Sequence, residues 1–250
     1  MLQVEIIDEI HVLTLDHGKA NTLDIQLCEQ LTRHLNKLAH SAKALVITGT
    51  GNCFSAGVDL LQIRDGGVPY IDHFLTSLRE TFMAAFNFPK PMVAAINGHA
   101  VAGGCILACA ADFRIMTNSV GRIGVAELSV GVPFPAAALE ILRFAGRGQY
   151  LQQMIYTGRL VAGKEALDMG LIDSLEDQES LLDSACETAR SLAAIEPLSF
   201  ALTKQRLRAS VLDALATPGT KEYERRIDEA WQSAEIRKAI ADYVAATLDR

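Results

Sequence analysis

The sequence has no uninterrupted apolar run of the roughly 18 residues that a membrane-spanning helix needs. Its longest apolar stretch, MVAAINGHAVAGGCILACAA, is broken by Asn97, His99 and three glycines, and is expected to be buried in protein. The amino-terminal MLQVEIIDEI alternates and carries acids, so it lacks the basic stretch and apolar run of a secretory signal. Basic residues are outnumbered, 23 against 30 acidic, for a net charge of −7. That balance disfavours nonspecific nucleic-acid binding and anionic membranes. Cysteine is scarce and odd in number: Cys28, Cys53, Cys105, Cys109 and Cys186 sit in apolar or helical contexts, which suggests reduced thiols and a cytoplasmic location. Cys105 and Cys109 stand four apart in a predicted helix, but no further Cys or His has a spacing that would complete a metal site. They read as small buried side chains, and no metal is expected. A nucleotide fingerprint is also lacking. GTG follows a predicted strand, yet Phe54 stands where GxGxxG needs its third glycine, and no GK[ST] occurs.

What is present is an alternation of strands, turns and helices over 250 residues, enough for one large domain. LQVEII and IHVLTL read as a hairpin turning on Asp8 and Glu9. The polar loop DHGKANTLD follows, and Asp24 is placed to cap a helix whose Leu27, Leu31, Leu35 and Leu38 share one face. KALVITGT is a buried strand, and the turn GTGNCFSAG opens a short helix VDLLQI. RDGGVP reads as a mobile loop before a longer helix over 70–86, after which MVAAING returns as a strand. The pattern continues through a helical GGCILACAA, a strand DFRIMT, a short strand in GRIGV and a helix over 136–144. Near-continuous apolar strands separated by helices argue for an α/β architecture. Beyond Gly146 helices and short turns dominate. Ile227, Trp231, Ile236, Ile240, Tyr243 and Val244 approximate a helical stripe that needs a surface to pack on, of this subunit or another.

Two glycine-rich turns each follow a strand and open a helix. In the first, ITGTGNCFSAGVDL, backbone N–H groups near Ala56 and Gly57 fall at a helix start, where unpaired donors favour negative charge. The bland alternative is a connection that simply needs glycine. In the second, NGHAVAGGCILACAAD, Gly103 and Gly104 permit close backbone approach. His99 is more simply structural than catalytic. Downstream, GRIGVAELSVGVPFP holds one carboxylate, Glu127, among apolar or small residues save Arg122 and Ser129. Such a glutamate is exposed, paired (Arg122 is the nearest candidate) or kept as a base with a raised pKa.

The two turns, in this order, resemble those of the crotonase superfamily, the enoyl-CoA hydratase and isomerase proteins. CFSAGVDL is similar to the family's first oxyanion segment and FPKPMVAAINGHAVAGGCILACAADFRI to its second. KANTL, AELSVGVPFP, YTGRLVAGKEALDMGLID and PLSFALTKQ match further, so the resemblance spans residues from about 10 to 206. It implies a crotonase-like spiral of ββα repeats over residues 1–195, and a C-terminal helical trimerisation segment over 196–250 giving a homotrimer or dimer of trimers. It also implies an acyl-CoA thioester substrate, with coenzyme A as part of the substrate and no separate cofactor. Matched residue by residue, the oxyanion donors are the amides of Ala56 and Gly103. Lys19, Ala20 and Asn21, with Ala56, Gly57, Val58, Asp59 and Gly103, lie along the substrate and its CoA moiety.

Family hydratases use two glutamates. The first position, three residues after Gly103, is Ile106 here; the second matches Glu127. One base beside an enolate can take a proton from C2 and return it at C4, so the resemblance points to isomerisation of a 3-enoyl-CoA to a 2-enoyl-CoA. Alternatives are a hydratase, hydrolase or decarboxylase on the same frame, or a non-catalytic acyl-CoA-binding protein. The segment LQIRDGGVPYIDHF is expected to border the acyl pocket.

Overall fold

The structure is a computed structural model that describes residues 1–146 and 148–248, with only the backbone of Gln149. Residues 249 and 250, the end of the expected C-terminal segment, lie outside the described residues. In chain order the elements are β1 (Leu2–Ile7), β2 (Ile10–Leu15), α1 (Ile25–Ser41), β3 (Leu45–Gly49), β4 (Cys53–Ser55), α2 (Leu60–Phe86), β5 (Met92–Ile96), β6 (His99–Val101), α3 (Gly103–Cys109), β7 (Phe113–Thr117) and β8 (Ile123–Gly124). Then follow α4 (Glu127–Val130), α5 (Ala136–Ala145), α6 (Gly148–Thr157), β9 (Leu160–Val161), α7 (Gly163–Asp168), β10 (Ser174–Glu176), α8 (Leu181–Ala193), α9 (Pro197–Ala216), α10 (Pro218–Gln232) and α11 (Ala234–Thr247).

The ββα repeat is explicit in the sheet order. A six-stranded sheet runs β1-β2-β3-β5-β7-β10, and a four-stranded one β4-β6-β8-β9. The successive pairs β3–β4, β5–β6 and β7–β8 each give one strand to the large sheet and the next to the small one, and the chain advances as a spiral. Within the large sheet β2, β3, β5, β7 and β10 are parallel, and only the edge strand β1 is antiparallel. The β1–β2 turn places Asp8 and Glu9 at φ 46° and 71°, the left-handed pair that a two-residue hairpin requires.

Both faces of the large sheet are covered at its central strands β2, β3, β5 and β7, which are accordingly rich in buried apolar residues, while the edge strand β1 is largely exposed. Val12, Val46, Val93 and Ile115 point to one face, where Leu181, Ala185, Cys186 and Ala189 of α8 close a small core. Leu13, Leu15, Ile47, Ala94 and Ile96 point the other way into the main core beside α1, α2 and α3. Asp24 caps α1 by accepting from Leu27 N at 2.7 Å, and the leucine face 27, 31, 35 and 38 is buried as expected.

Two expectations are sharpened. The break expected at RDGGVP is there, but as a kink instead of a loop: two helical stretches meet at Gly67 (φ 65°, ψ −162°) within α2, Leu60 to Phe86. A single left-handed glycine absorbs the kink and sets Pro69 where its missing N–H is harmless. Tyr70 Oη bonds Gln62 Oε1 across it at 3.0 Å, while Ile71, Phe74 and Leu75 bury against the α1 side. The second concerns the apolar stripe over 227–244, which packs on its own chain, α10 and α11 both lying against α2.

The C-terminal helices are held by charge as well as packing. Lys204 Nζ reaches Asp112 Oδ2 at 2.6 Å and Lys90 O at 2.9 Å, and Arg208 reaches Asp112 Oδ1 at 2.8 Å. The Arg208 guanidinium also lies 4.4 Å from the Phe86 ring centroid. Burial pulls the Lys204 pKa down to about 8 against the opposing pull of Asp112. Farther along, Arg79 of α2 grips Asp228 at 2.7 Å and Glu224 at 3.3 Å. Glu224 Oε1 also accepts from Ala136 N at 2.6 Å, supplying α5 with the cap that its own Pro135 cannot.

Candidate active site

The two glycine turns meet. β4 ends at Ser55 and Asp59 caps α2 through Gln62 N at 3.0 Å, while β6 ends at Val101 and α3 starts two residues on. Gly57 sits between them at φ 87°; a Cβ there would lie 2.7 Å from Val101 O, 2.8 Å from Ala102 Cβ and 3.1 Å from Gly103 N. Glycine is therefore required both by the left-handed backbone and by the closeness of the second turn.

The amide expected as first oxyanion donor is already used. Ala56 N donates to Ala20 O at 2.9 Å, and Gly57 N donates to Ser55 Oγ at 3.2 Å. Leu23 N donates to Gly57 O at 2.7 Å and Asp59 N to Leu23 O at 3.0 Å, a parallel bridge that engages the groups on either side of Val58. The amide left without a partner among the described residues is that of Val58, which faces away from the bridge. Gly103 N is equally unpartnered, because the first residues of a helix have no intrahelical acceptor. Val58 and Gly103 both line one cavity of about 90 Å³.

Glu127 lines the same cavity. As the first residue of the short α4 it is held at the cavity wall, 8% exposed. Among the described residues it makes no ion pair, with Arg122 or otherwise, and its Oε2 has no hydrogen-bond partner. Burial pushes its pKa up to about 7, partly offset by the amides of Glu127 and Ala126. A carboxylate in this state is poised to accept and release a proton near neutral pH. Ile106 of α3, 2% exposed, is also a wall residue. Leu78 and Phe82 of α2, Val130, Val132, Trp231 and Tyr243 supply half of the rest, and Ala56 of the first turn is also in the lining. Glu127 is thus the only carboxylate among the lining residues.

The other sequence-derived positions sort into wall and scaffold. Asn21 is 1% exposed and its side chain is committed, donating to Cys53 O at 2.9 Å and accepting from His17 N at 2.9 Å. With Ala20 O receiving Ala56 N, it stitches the KAN loop to β4. Lys19 is exposed and Ala20 half-buried. Asp59 caps α2 and accepts from Thr22 Oγ1 at 3.4 Å. His99 is half-buried in β6 and Cys105 and Cys109 are buried in α3, all outside the cavity lining. The cavity is bordered by Leu60, Leu78 and Phe82, not by the intervening residues of LQIRDGGVPYIDHF, of which Ile63, Ile71 and Phe74 are buried in the main core. Trp231 and Tyr243 were missed as wall residues. Their stripe signalled burial, but not the face on which it would dock.

Two amide donors at one apolar-walled cleft with one raised-pKa glutamate, carried on a ββα spiral, define a crotonase-fold enzyme. The profile of the enoyl-CoA hydratase/isomerase family matches residues 5–247, and the chain belongs to that family. A Thermus thermophilus protein assigned as an enoyl-CoA hydratase is 34% identical over 215 residues, 84% of each chain. The Mycobacterium tuberculosis enoyl-CoA isomerase, solved in its apo form, is 31% identical with a TM-score of 0.79 over 99% of this chain and 98% of its own. The human mitochondrial delta3-delta2-enoyl-CoA isomerase superposes with a TM-score of 0.93 over 99% and 98% of the chains. At 22% identity that likeness speaks to the fold alone.

Proposed function

We propose that the protein is an enoyl-CoA isomerase that moves the double bond of a 3-enoyl-CoA to the 2-position. The observation carrying this reading is that, among the described residues, Glu127 is the only carboxylate lining the cavity, with Ile106 at the position that a second glutamate would fill. Ionised Glu127 removes a proton from C2, and the electron pair moves through the carbonyl to leave an enolate oxygen. The amides of Val58 and Gly103 stabilise that oxygen, each worth ~3 kcal/mol in the transition state. The enolate then collapses through its extended π-system, forming the C2–C3 double bond and taking the same proton back from Glu127 at C4. Substrate and product have equal composition, and no cofactor beyond the substrate's own CoA takes part.

The experiment supplies a four-carbon and a twelve-carbon 3-enoyl-CoA, and in parallel the 2-enoyl-CoAs, following the conjugated thioester by absorbance and 3-hydroxyacyl-CoA by mass. Double-bond migration as the main reaction of at least one 3-enoyl-CoA is expected. Net hydration of the 2-enoyl-CoA at a higher rate would overturn the reading and favour the hydratase name carried by the Thermus relative. Binding without turnover would favour a non-catalytic acyl-CoA-binding protein.

A homotrimer or dimer of trimers, with residues 196–250 as the associating segment and a cytoplasmic location, completes the proposal. Its support is α9, which leaves Leu198 and Leu202 exposed on one face and Leu207 exposed on another, and the free state of all five cysteines. No helix of the described residues is long and apolar enough to cross a membrane.

A further inference from the structure

The cavity is small, and its far wall comes from the C-terminal helices. An engineered apolar cavity of roughly 150 Å³ takes the six carbons of benzene. By that measure the cavity of about 90 Å³ beside Val58, Gly103 and Glu127 takes about four carbons. The part of the wall that these helices supply is anchored. Trp231 is 2% exposed and its Nε1 donates to Pro133 O at 3.0 Å. Its helix α10 is clamped to α2 through Arg79 and Asp228 at 2.7 Å and to Phe134 O through Tyr223 Oη at 2.8 Å. Tyr243 stands beside it on α11, which buries Ile240 and Val244. Leu78 and Phe82 come from the same α2 that carries the clamp. A long chain would have to displace a packed, hydrogen-bonded indole rather than part a loop.

We infer that Trp231, with Tyr243, sets an upper limit of about four carbons on the acyl group, so that the substrates are short-chain acyl-CoA thioesters. This rests on the acyl-CoA reading above but not on the reaction proposed there. In an open-ended pocket each further buried methylene would tighten binding about four-fold, so a closed one shows as a plateau.

The test measures, by calorimetry, binding of saturated butyryl-, octanoyl- and dodecanoyl-CoA, which cannot isomerise, to the wild-type chain and to Trp231→Ala and Tyr243→Ala. The wild type is expected to bind butyryl-CoA at least as tightly as the two longer thioesters. Either variant, shown to be folded by circular dichroism, is expected to shift the ratio of affinities at least ten-fold toward dodecanoyl-CoA. Tyr243→Ala carries that arm if Trp231→Ala does not fold. A wild type that binds dodecanoyl-CoA ten-fold or more tighter than butyryl-CoA would overturn the inference even if 3-enoyl-CoAs are isomerised. So would a folded variant pair that keeps the wild-type ratio. A plateau at four carbons without isomerase activity would instead leave it standing and remove the reaction. Failure to bind any of the three would remove both.

Discussion

Replacing Glu127 by glutamine separates its chemical role from its cost to the fold. The folded-state pKa is about 7 against an ordinary 4.5, with burial as the leading cause. Between these values the folded chain holds a proton that the unfolded chain has released. Raising the pH through that window therefore lowers stability, and above about 7 the loss is complete. At about 1.4 kcal/mol per pH unit the full loss is about 3 kcal/mol. Glutamine cannot ionise, so Glu127→Gln lacks this fall. It does keep a polar group where Oε2 has no partner, a penalty of about 1–3 kcal/mol that is independent of pH. The informative quantity is thus the change with pH of the difference between the two proteins.

Thermal unfolding at pH 5 and pH 8, at one protein concentration and without ligand, reads that quantity. For a chain of this size about 3 kcal/mol corresponds to a shift of about 6–12 °C. The melting temperature of Glu127→Gln relative to wild type should accordingly rise by up to that amount from pH 5 to pH 8. Isomerisation should fall by about 10²- to 10⁴-fold in the same variant, the usual worth of a positioned base. A melting difference equal at the two pH values would refute the account of a carboxylate that ionises in a dry cavity. Undiminished turnover would refute its role as the base.

Wild-type kcat/KM is expected to rise with pH and level off above about 7, since the free enzyme must hold Glu127 ionised; a flat profile from pH 5 to 8 would contradict this. Gly57→Ala should lower kcat at least about 10²-fold, measured by steady-state kinetics, because its Cβ would meet Val101 O and prise the two amide-bearing turns apart. Ile106→Glu restores a second carboxylate and should raise the ratio of hydration to isomerisation, read by mass spectrometry of products from the 2-enoyl-CoA, while lowering stability by burying another charge. Asp112→Ala strands the buried Lys204 and Arg208 and should cost about 3–5 kcal/mol in denaturant unfolding, with kcat/KM little changed where the chain remains folded.

Much of this was readable from local pattern, and the rest failed for identifiable reasons. The hairpin, the Asp24 cap, the leucine face of α1 and the alternation of strands with helices depend on neighbours in sequence, and they stand where expected. The Gly-Gly-Val-Pro run signals the break in α2 but not its length: one residue at φ 65° carries it where a loop is expected. Lys204 and Arg208 are four apart on α9, a spacing that would ordinarily mark a solvated face. Only Asp112, distant in sequence, makes it a buried one.

The oxyanion donors show the same division more sharply. The turn that residue matching singles out does lie at the cavity, because a glycine-rich strand-to-helix connection has a local signature. It does not say which amide within the turn is free. Ala56 is removed from contention by Ala20, thirty-six positions away in sequence, and Val58 is spared because its neighbours Gly57 and Asp59 bond Leu23 instead. Availability of a backbone donor is settled by every other acceptor that folding brings near it, and a side-chain motif carries no record of those partners. Glu127 differs for the same reason in reverse. Its value lies in having no partner, and an acid surrounded in sequence by Val125, Ala126, Leu128 and Val130 already announces a scarcity of groups to pair with it.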